Sequence, residues 1–255
     1  MSEVRCNTLW IGPALGRVER ACLRSLLKQG HPVTLYSYDP VAGVPDGVEV
    51  ADAAEILPRE RIILRAGNPA LFTNFFRYRL QALERGLWVD ADVYAVRPIR
   101  LPDPYLFGWQ QPDRINGAVL RLPAESPMLA ALLEMFEERE IPFWLAAKAR
   151  AVAEENLRRT GRICLELAPW GVAGPLALTA LAARLNLSHL AQPQEVFYPR
   201  GWADAAWVLD PATDLDQVVT GRTLAVHLWN ELIKDFKDAP APEGSFLARL
   251  QAEGS

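Results

Sequence analysis

Cysteine is scarce in this chain of 255 residues, and its three cysteines, Cys6, Cys22 and Cys164, stand far apart. An odd number without a CxxC pair speaks against a disulfide framework and against a thiolate zinc site. Free thiols are typical of proteins that stay in a reducing compartment. The cysteines therefore predict a cytoplasmic protein.

Long apolar runs and dense clusters of lysine and arginine are also missing. No apolar run is long enough to span a bilayer, and the segment Met1–Asn7 lacks the apolar core of a signal peptide. With a formal net charge of −4, the chain has no electrostatic footprint for nucleic acid. We expect a soluble protein without a nucleic-acid partner, and we leave open peripheral contact with the inner face of a membrane.

The chain contains no internal repeat, and 50% of its residues are hydrophobic, which is enough for one sizeable core. Apolar spacing predicts a strand at 8–11, a helix at 17–28 and a strand at 33–38, the order that opens a parallel α/β sheet. No GxGxxG turn follows the first strand, so a phosphate would need another anchor. Prolines and a glycine interrupt 237–245, so we expect one domain over 1–236 and a C-terminal appendage over 237–255.

One apolar strand, Leu87-Trp-Val, runs into two carboxylates, Asp90 and Asp92. Side chains two residues apart share a side of a strand, and α/β sheets bind their ligands at the carboxyl ends of strands. Two hard oxygen ligands there suit a divalent cation that carries a diphosphate; the alternative is a solvated strand end. Asp214 and Asp216 repeat the spacing, but no apolar strand leads into them, and we interpret that pair as a polar turn.

Further elements surround the Asp90 strand. A helix that begins at Asn68-Pro69, or at Thr73, and ends at a cap at Gly86 precedes it. This helix carries Arg77, which the residues alone favour as a surface cation over an active-site group. A late strand at 223–229 carries His227, either a ligand or a core histidine beside Trp229. Strands are also predicted at 105–109 and 118–122, and helices at 126–136, 141–158 and 174–187.

Several segments resemble, in order, those of one enzyme family. Asn74-Phe-Phe-Arg77-Tyr followed by Gly86-Leu-Trp-Val-Asp90-Ala-Asp92 is similar to the "S-D-x-x-R-Y … G-G-x-Y-x-D-x-D" core of DxD-containing glycosyltransferases. That group includes the α1,4-galactosyl- and α1,4-N-acetylglucosaminyltransferases and the yeast-type initiating mannosyltransferases. The other matching segments are Leu9–Gly12, Ile115–Ala118, Gly174–Pro175, Phe197–Pro199 and Val226–Asn230.

The resemblance implies a GT-A fold, an α/β fold with a Rossmann-like, mostly parallel mixed sheet flanked by helices. It implies a nucleotide-sugar donor, a UDP-sugar ahead of a GDP-sugar, and Mn²⁺ or Mg²⁺. It also implies transfer of a hexose or N-acetylhexosamine, with retention of configuration, to a saccharide or glycolipid acceptor. The metal ligands it implies are Asp90, Asp92 and His227, and the donor-binding residues are Trp10, Asn74, Arg77, Asp90, Asn116 and His227.

The chain departs from the family pattern at two positions. Asn74 stands where the family has aspartate, which keeps a carbonyl acceptor but loses the charge that could hold Arg77. Trp88 stands where the family has tyrosine, so we expect it to repack the floor of the donor site.

Aromatic and polar residues outside the core motif provide candidates for the acceptor side and for catalysis. Trp109, Trp170, Trp202 and Trp207 could stack on an acceptor sugar or simply pack, and we favour Trp202 because it lies in a polar loop. Retaining transfer needs a weak nucleophile or cation-supporting groups near the anomeric carbon. The catalytic candidates are Asp90, Asp92, Asn116 and Asp204.

Two other functions fit part of the sequence. A haloacid-dehalogenase-like phosphatase also ends a strand on two aspartates, but its motif lies on the first strand and gives Arg77 and His227 no role. A non-catalytic nucleotide-sugar-binding module would explain Asn74 but not the retention of both aspartates. Fold alone does not choose between these functions.

Overall fold

The computed structural model describes residues 4–100 and 103–255, so the first three residues of the segment searched for a signal peptide lie outside it. The strands are β1 (Cys6–Leu9), β2 (Val33–Ser37), β3 (Val48–Asp52), β4 (Leu87–Val89), β5 (Val93–Ala95), β6 (Leu106–Gln111), β7 (Arg114–Arg121) and β8 (Ala225–His227). The helices are α1 (Arg17–Lys28), α2 (Ala70–Ala82), α3 (Pro127–Glu134), α4 (Ala147–Thr160), α5 (Pro175–Arg184), α6 (Gln194–Phe197), α7 (Leu215–Val218), α8 (Asn230–Ile233) and α9 (Phe246–Glu253). Among the described residues, no helix is both long and apolar enough to cross a membrane.

Six strands form one sheet in the order β3-β2-β1-β4-β7-β6. β1 is parallel to β2 and β4, and β2 is parallel to β3. β7 is antiparallel to both β4 and β6, so it alone runs against the other strands. The predicted α/β fold, a mostly parallel mixed sheet flanked by helices, is confirmed. Because β1 and β4 are parallel neighbours, their carboxyl ends lie side by side.

The two faces of the sheet carry separate apolar cores, because strand side chains alternate between them. On β4, Leu87 and Val89 point into the core that contains α1, whereas Trp88 points into the core that contains α2, α3 and α5. α1 forms over the predicted 17–28 because its apolar residues recur at helical spacing and lie against the sheet. Both faces of the strand that precedes Asp90 are therefore fixed by packing.

The C-terminal segment is part of the first of these cores. Residues 237–245 form no helix or strand, as expected, but α9 follows them and packs against α1. Phe246, Leu247 and Leu250 of α9 are at most 3% exposed. The domain boundary at residue 236 remains a prediction, but α9 is not a loose appendage.

Some predicted element boundaries are wrong. β1 is displaced toward the N-terminus, from the predicted 8–11 to Cys6–Leu9. The predicted helix at 141–158 begins only at Ala147, because the residues before it form a turn in which the Leu145 N–H donates to the Pro142 carbonyl. The late strand ends at His227, because Trp229 has the left-handed φ of 57° that a strand cannot continue through. The short strands β3 and β5 and the helix α9 were not predicted.

Candidate functional site

The chain turns after β4, which places two carboxylates at the carboxyl end of this central strand. The backbone N–H of Asp90 donates to the Ala118 carbonyl of β7 at 2.7 Å, which is the last contact of this strand with the sheet. β5 begins at Val93 and pairs with β8, where Val93 lies opposite His227. This pairing places the histidine of the late strand beside the two aspartates.

Asp90, Asp92 and His227 form a compact group whose potential ligand atoms all lie within 4.8 Å of one another. His227 Nε2 lies 3.3 Å from Asp92 Oδ2, and the backbone N–H of Asn230 donates to the same oxygen at 2.7 Å. The side chains of Asp92 and His227 are 11% and 9% exposed, and that of Asp90 is 23% exposed. In the described part of the chain, no second group of three such side chains lies so close together.

Asp90 is oriented by two donors that bind the same oxygen. The Trp88 indole N–H donates to Asp90 Oδ1 at 2.6 Å, and an Arg77 guanidinium nitrogen lies 3.1 Å from it. Arg77 also donates to the Gly117 carbonyl at 2.6 Å, with its guanidinium 5.1 Å from the Trp88 ring centroid. A Cβ at Gly117 would come within 3.0 Å of Arg77 Nη1 and of Leu178. Arg77 is therefore a buried partner of Asp90 and not a surface cation.

Burial and neighbouring charges shift the pKa values of the three ionisable side chains. Burial raises the pKa of Asp90, and the attraction of Arg77 offsets this only in part. Burial would also raise the pKa of Asp92, but the charge and hydrogen bond of His227 and the Asn230 N–H together outweigh it and lower that pKa. Burial opposes the charge of His227, yet the two aspartates raise its pKa overall. The group is thus a strongly coupled cluster of buried charge.

These residues fit a divalent cation. Carboxylate oxygens with an imidazole nitrogen are donors that Mn²⁺ accepts in proteins, and carboxylate oxygens suit Mg²⁺. His227 Nδ1 is buried and has no hydrogen-bond partner among the described residues. A cation would also relieve the repulsion between two carboxylates that burial has taken out of water. The observations support a metal site here and leave the identity of the ion open.

The group lies in an open cleft of about 850 Å³. The cleft runs from the end of β1 across β4 to the β6–β7 hairpin, with α2 and α8 contributing to its walls. The predicted site residues that line it are Trp10, Asn74, Arg77, Asp90, Asp92, Asn116 and His227, together with the aromatic residues Trp170 and Trp202. Sequence positions far apart thus converge on one cavity.

The two predicted asparagines of the cleft are held by protein groups. Asn116 donates to Gln110 Oε1 and accepts from the Ala118 N–H, both at 2.7 Å. Asn74 donates to the Ala70 carbonyl at 2.8 Å, one turn back in α2. Arg77 is paired with Asp90, which directly follows β4. Asp90 therefore supplies the negative charge beside Arg77 that Asn74 lacks.

Other predicted residues are not brought to the cleft. Asp204 is exposed on the 3₁₀ turn Trp202–Leu209, where residues three apart share a face, so it points away from the Trp202 face. Trp207 is buried in the core, and Trp109 does not line the cleft. The second aspartate pair is also not a simple turn: Asp214 caps α7 in a reciprocal capping box with Gln217.

Sequence reasoning missed several residues that shape the site. The hydrogen bond from the Asn230 backbone N–H to Asp92 depends on the left-handed conformation of Trp229, which no local residue pattern predicts. The Thr8 hydroxyl is buried beside the cleft, with no hydrogen-bond partner in the described residues. Gly117 stands next to the predicted Asn116, and a glycine within a strand was a signal for close approach of another group.

Comparisons with known proteins identify no family. No protein-family model matches the chain, and no curated protein matches it. A solved structure described as PaToxG Glycosyltransferase is similar over 72% of this chain and 69% of its own, with 13% sequence identity and a TM-score of 0.46. Membership of the α1,4-glycosyltransferase group remains a prediction.

Proposed function

We propose that this protein is a metal-dependent glycosyltransferase of the GT-A type. The donor is a nucleotide sugar, a UDP-sugar ahead of a GDP-sugar, and a hexose or N-acetylhexosamine is transferred with retention to a hydroxyl of a glycan or glycolipid. The observation that carries the proposal is the convergence of Asp90, Asp92 and His227 in the cleft at the carboxyl end of β4. The family-like order of the sequence motifs supports it independently.

The chemistry explains why such a site is needed. A nucleoside diphosphate leaves slowly unless its developing charge is stabilised. Mn²⁺ or Mg²⁺ bound by Asp90, Asp92 and His227 would neutralise that charge. Trp88 and Arg77 hold Asp90 in one orientation, and Asn230 and His227 do the same for Asp92.

The remaining cleft residues have roles that follow from their position. Trp10 and Thr8 lie at the end of β1, where parallel sheets bind nucleosides, and we assign them to the donor's nucleoside side. Asn116 and Asn74 both line the cleft, and we assign their amide groups to sugar hydroxyls. Buried free cysteines such as Cys6 and Cys22 support a cytoplasmic location.

Donor hydrolysis in the absence of acceptor tests the function. Purified protein with Mn²⁺ is incubated with a panel of UDP- and GDP-sugars, and released nucleotide and sugar are measured. We expect slow release of UDP or GDP from one of them, abolished by EDTA and by Asp90→Asn.

The alternative functions give different results in the same assay. A phosphatase would release inorganic phosphate from simple phosphate esters without consuming sugar nucleotides. A binding module would be stabilised by the donor, by about 2.7 kcal/mol at 100 times its dissociation constant, and would release nothing. Either pattern would replace the proposed function.

A further inference from the structure

The sheet order divides the cleft into two sides. β1, with Trp10 at its end, lies on one side of β4, and β7 and β6 lie on the other. If the nucleoside occupies the parallel β1 side, as in other α/β sheets, the β6–β7 side is left for the second substrate. The residues on the β6–β7 side therefore indicate the chemical class of the acceptor.

A β-bulge points the end of β6 into the cleft. Trp109 pairs with Ile115 and Gln111 pairs with Arg114, so Gln110 has no partner in the register. Such a bulge turns consecutive side chains toward the same side. Both Gln110 and Gln111 line the cleft as a result.

Gln111 fixes an aromatic platform at this side of the cleft. Trp202 is 53% exposed, yet its indole N–H donates to Gln111 Oε1 at 3.0 Å. The Gln111 amide in turn donates to Asp113 Oδ1 at 2.7 Å. An exposed indole held in one orientation offers a flat apolar face, which suits the C–H-rich face of a sugar ring.

Arg114 adds a positive charge beside this platform. It lies directly opposite Gln111 in the antiparallel pair, so the two side chains project from the same face, and Arg114 lines the cleft. Among the described residues, no hydrogen bond or ion pair within 4 Å holds its guanidinium. The neighbouring counter-charge, Asp113, is exposed and bound by Gln111.

We propose that Trp202, Gln111 and Arg114 form an acceptor subsite, and that the acceptor is a saccharide with an anionic substituent, either a carboxylate or a phosphate. The sugar ring stacks on Trp202, and Arg114 pairs with the anion, as guanidinium groups do with both carboxylates and phosphates. This subsite rests on the proposed glycosyl transfer, because it names the second substrate of that reaction.

Saccharide binding tests the subsite without requiring turnover. Protein loaded with Mn²⁺ and UDP, or GDP, is titrated with methyl β-D-glucuronide, glucose 6-phosphate and the neutral methyl β-D-glucoside, and affinities are measured by NMR. We expect at least one anionic probe to bind about tenfold more tightly than the neutral one. Whichever of the two binds more tightly identifies the carboxylate or the phosphate as the natural anion.

Variants separate the two parts of the subsite. Arg114→Gln is expected to remove the preference for the anionic probe and to leave neutral binding within twofold. Trp202→Ala is expected to weaken all probes about tenfold, whereas Trp202→Phe keeps a ring and most of the binding. Arg139→Gln removes an exposed charge outside the cleft and serves as the matched control. Thermal unfolding of each variant checks that it folds.

Three results would overturn the subsite: equal affinity for neutral and anionic probes, a preference that survives Arg114→Gln, or unchanged binding in Trp202→Ala. Failure of both nucleotides to bind with Mn²⁺ would instead contradict the proposed function. The nucleotide titration and the saccharide titration therefore report the two failures separately.

Discussion

At the scale of single residues, the Asp92 carboxylate is buried and held by two partners. It accepts from the Asn230 backbone and contacts His227, so a substitution that keeps its shape changes mainly its charge. We expect Asp92→Asn to lower donor turnover by roughly 10²-fold or more, because it removes an electrostatic stabiliser of the leaving diphosphate. Nucleotide release from the sugar nucleotide is the measurement.

Asp214→Asn is the matched control for that substitution. Asp214 caps α7, and asparagine is about as good an N-cap as aspartate, so both activity and stability should stay close to the parent values. The assignment of Asp92 would be wrong if Asp92→Asn transferred sugar at the parent rate, or if it unfolded the protein.

The substitution Asn74→Asp distinguishes two hypotheses about Asn74, adaptation to the donor and loss of activity, by whether it lowers or raises kcat/KM. Asp90 already pairs with Arg77, and an aspartate at position 74 could no longer donate to the Ala70 carbonyl. We therefore expect Asn74→Asp to weaken use of the native donor by about tenfold to a hundredfold. The measurement is kcat/KM with that donor, alongside an Mn²⁺ titration that should not change. A rise in kcat/KM would instead mean that Asn74 marks a loss of activity.

Much of the site was predictable at this scale because its residues are local or match a motif. Strand spacing predicted Asp90 and Asp92, the family resemblance predicted a site role for Arg77, and the structure brings the three side chains together. Asp204 was misplaced because a polar loop sequence does not reveal the orientation of a 3₁₀ turn. The indole N–H contact from Trp88 to Asp90 depends on the side-chain conformation, which the spacing does not determine.

At the scale of elements, His31 joins two segments through its ring. Its Nε2 accepts from the Ile99 N–H at 2.9 Å, so its Nδ1 carries the proton that the Val4 carbonyl accepts at 2.9 Å. Burial lowers its pKa below the ordinary value of 6.5. The unfolded chain therefore binds more protons than the folded protein between these two pKa values, so the free energy of unfolding rises with pH in that window and falls as the pH is lowered through it.

We expect the contribution of His31 to stability to be constant above about pH 7.5 and to fall below pH 6.5, by up to about 1.4 kcal/mol per pH unit until the folded pKa is reached. Urea unfolding of the parent and of His31→Gln across this range measures it as the difference between the two curves. His189→Gln, at an exposed histidine, is the control and should leave the slope unchanged. A parent curve parallel to that of His31→Gln would refute the assignment.

The helix α9 is expected to stabilise the fold through its buried leucine, Leu250. Leu250 is 0% exposed and packs in the core shared with α1. We expect Leu250→Ala to lower the free energy of unfolding by about 2–5 kcal/mol, because it leaves a cavity. Leu83→Ala, the same change at a leucine that is 41% exposed, should cost less than about 1 kcal/mol. Equal effects in urea unfolding would mean that α9 is a loose appendage after all.

Elements with strong local signals were predicted well, and those defined by tertiary contacts were not. α1 matches the predicted 17–28 because its apolar spacing is regular. β5 has three residues and exists through its pairing with β8, and β3 has no buried residue, since its five residues are exposed or half-buried. α9 follows a segment rich in proline, which masked its apolar face. Short strands and terminal helices of this kind are decided by packing more than by propensity.

At the scale of the whole molecule, the topology explains why the site lies where it does. A mostly parallel sheet brings together the carboxyl ends of its two central strands, β1 and β4, and the separate β5–β8 pair carries His227 to the same point. The order of the elements predicted the sheet, but the β5–β8 pair could not be derived from periodicity. The cluster of Asp90, Asp92 and His227 therefore depends on the pairing of Val93 with His227, which only the folded chain makes.

Binding of Mn²⁺, measured by electron paramagnetic resonance as the loss of free ion, is the direct test of a metal site at Asp90, Asp92 and His227. We expect one Mn²⁺ per chain in the presence of UDP or GDP, and an affinity at least tenfold lower in His227→Ala and in Asp92→Asn, with His189→Gln unchanged. An affinity for Mn²⁺ that is the same in all four proteins, or nucleotide binding that persists undiminished in EDTA, would contradict it.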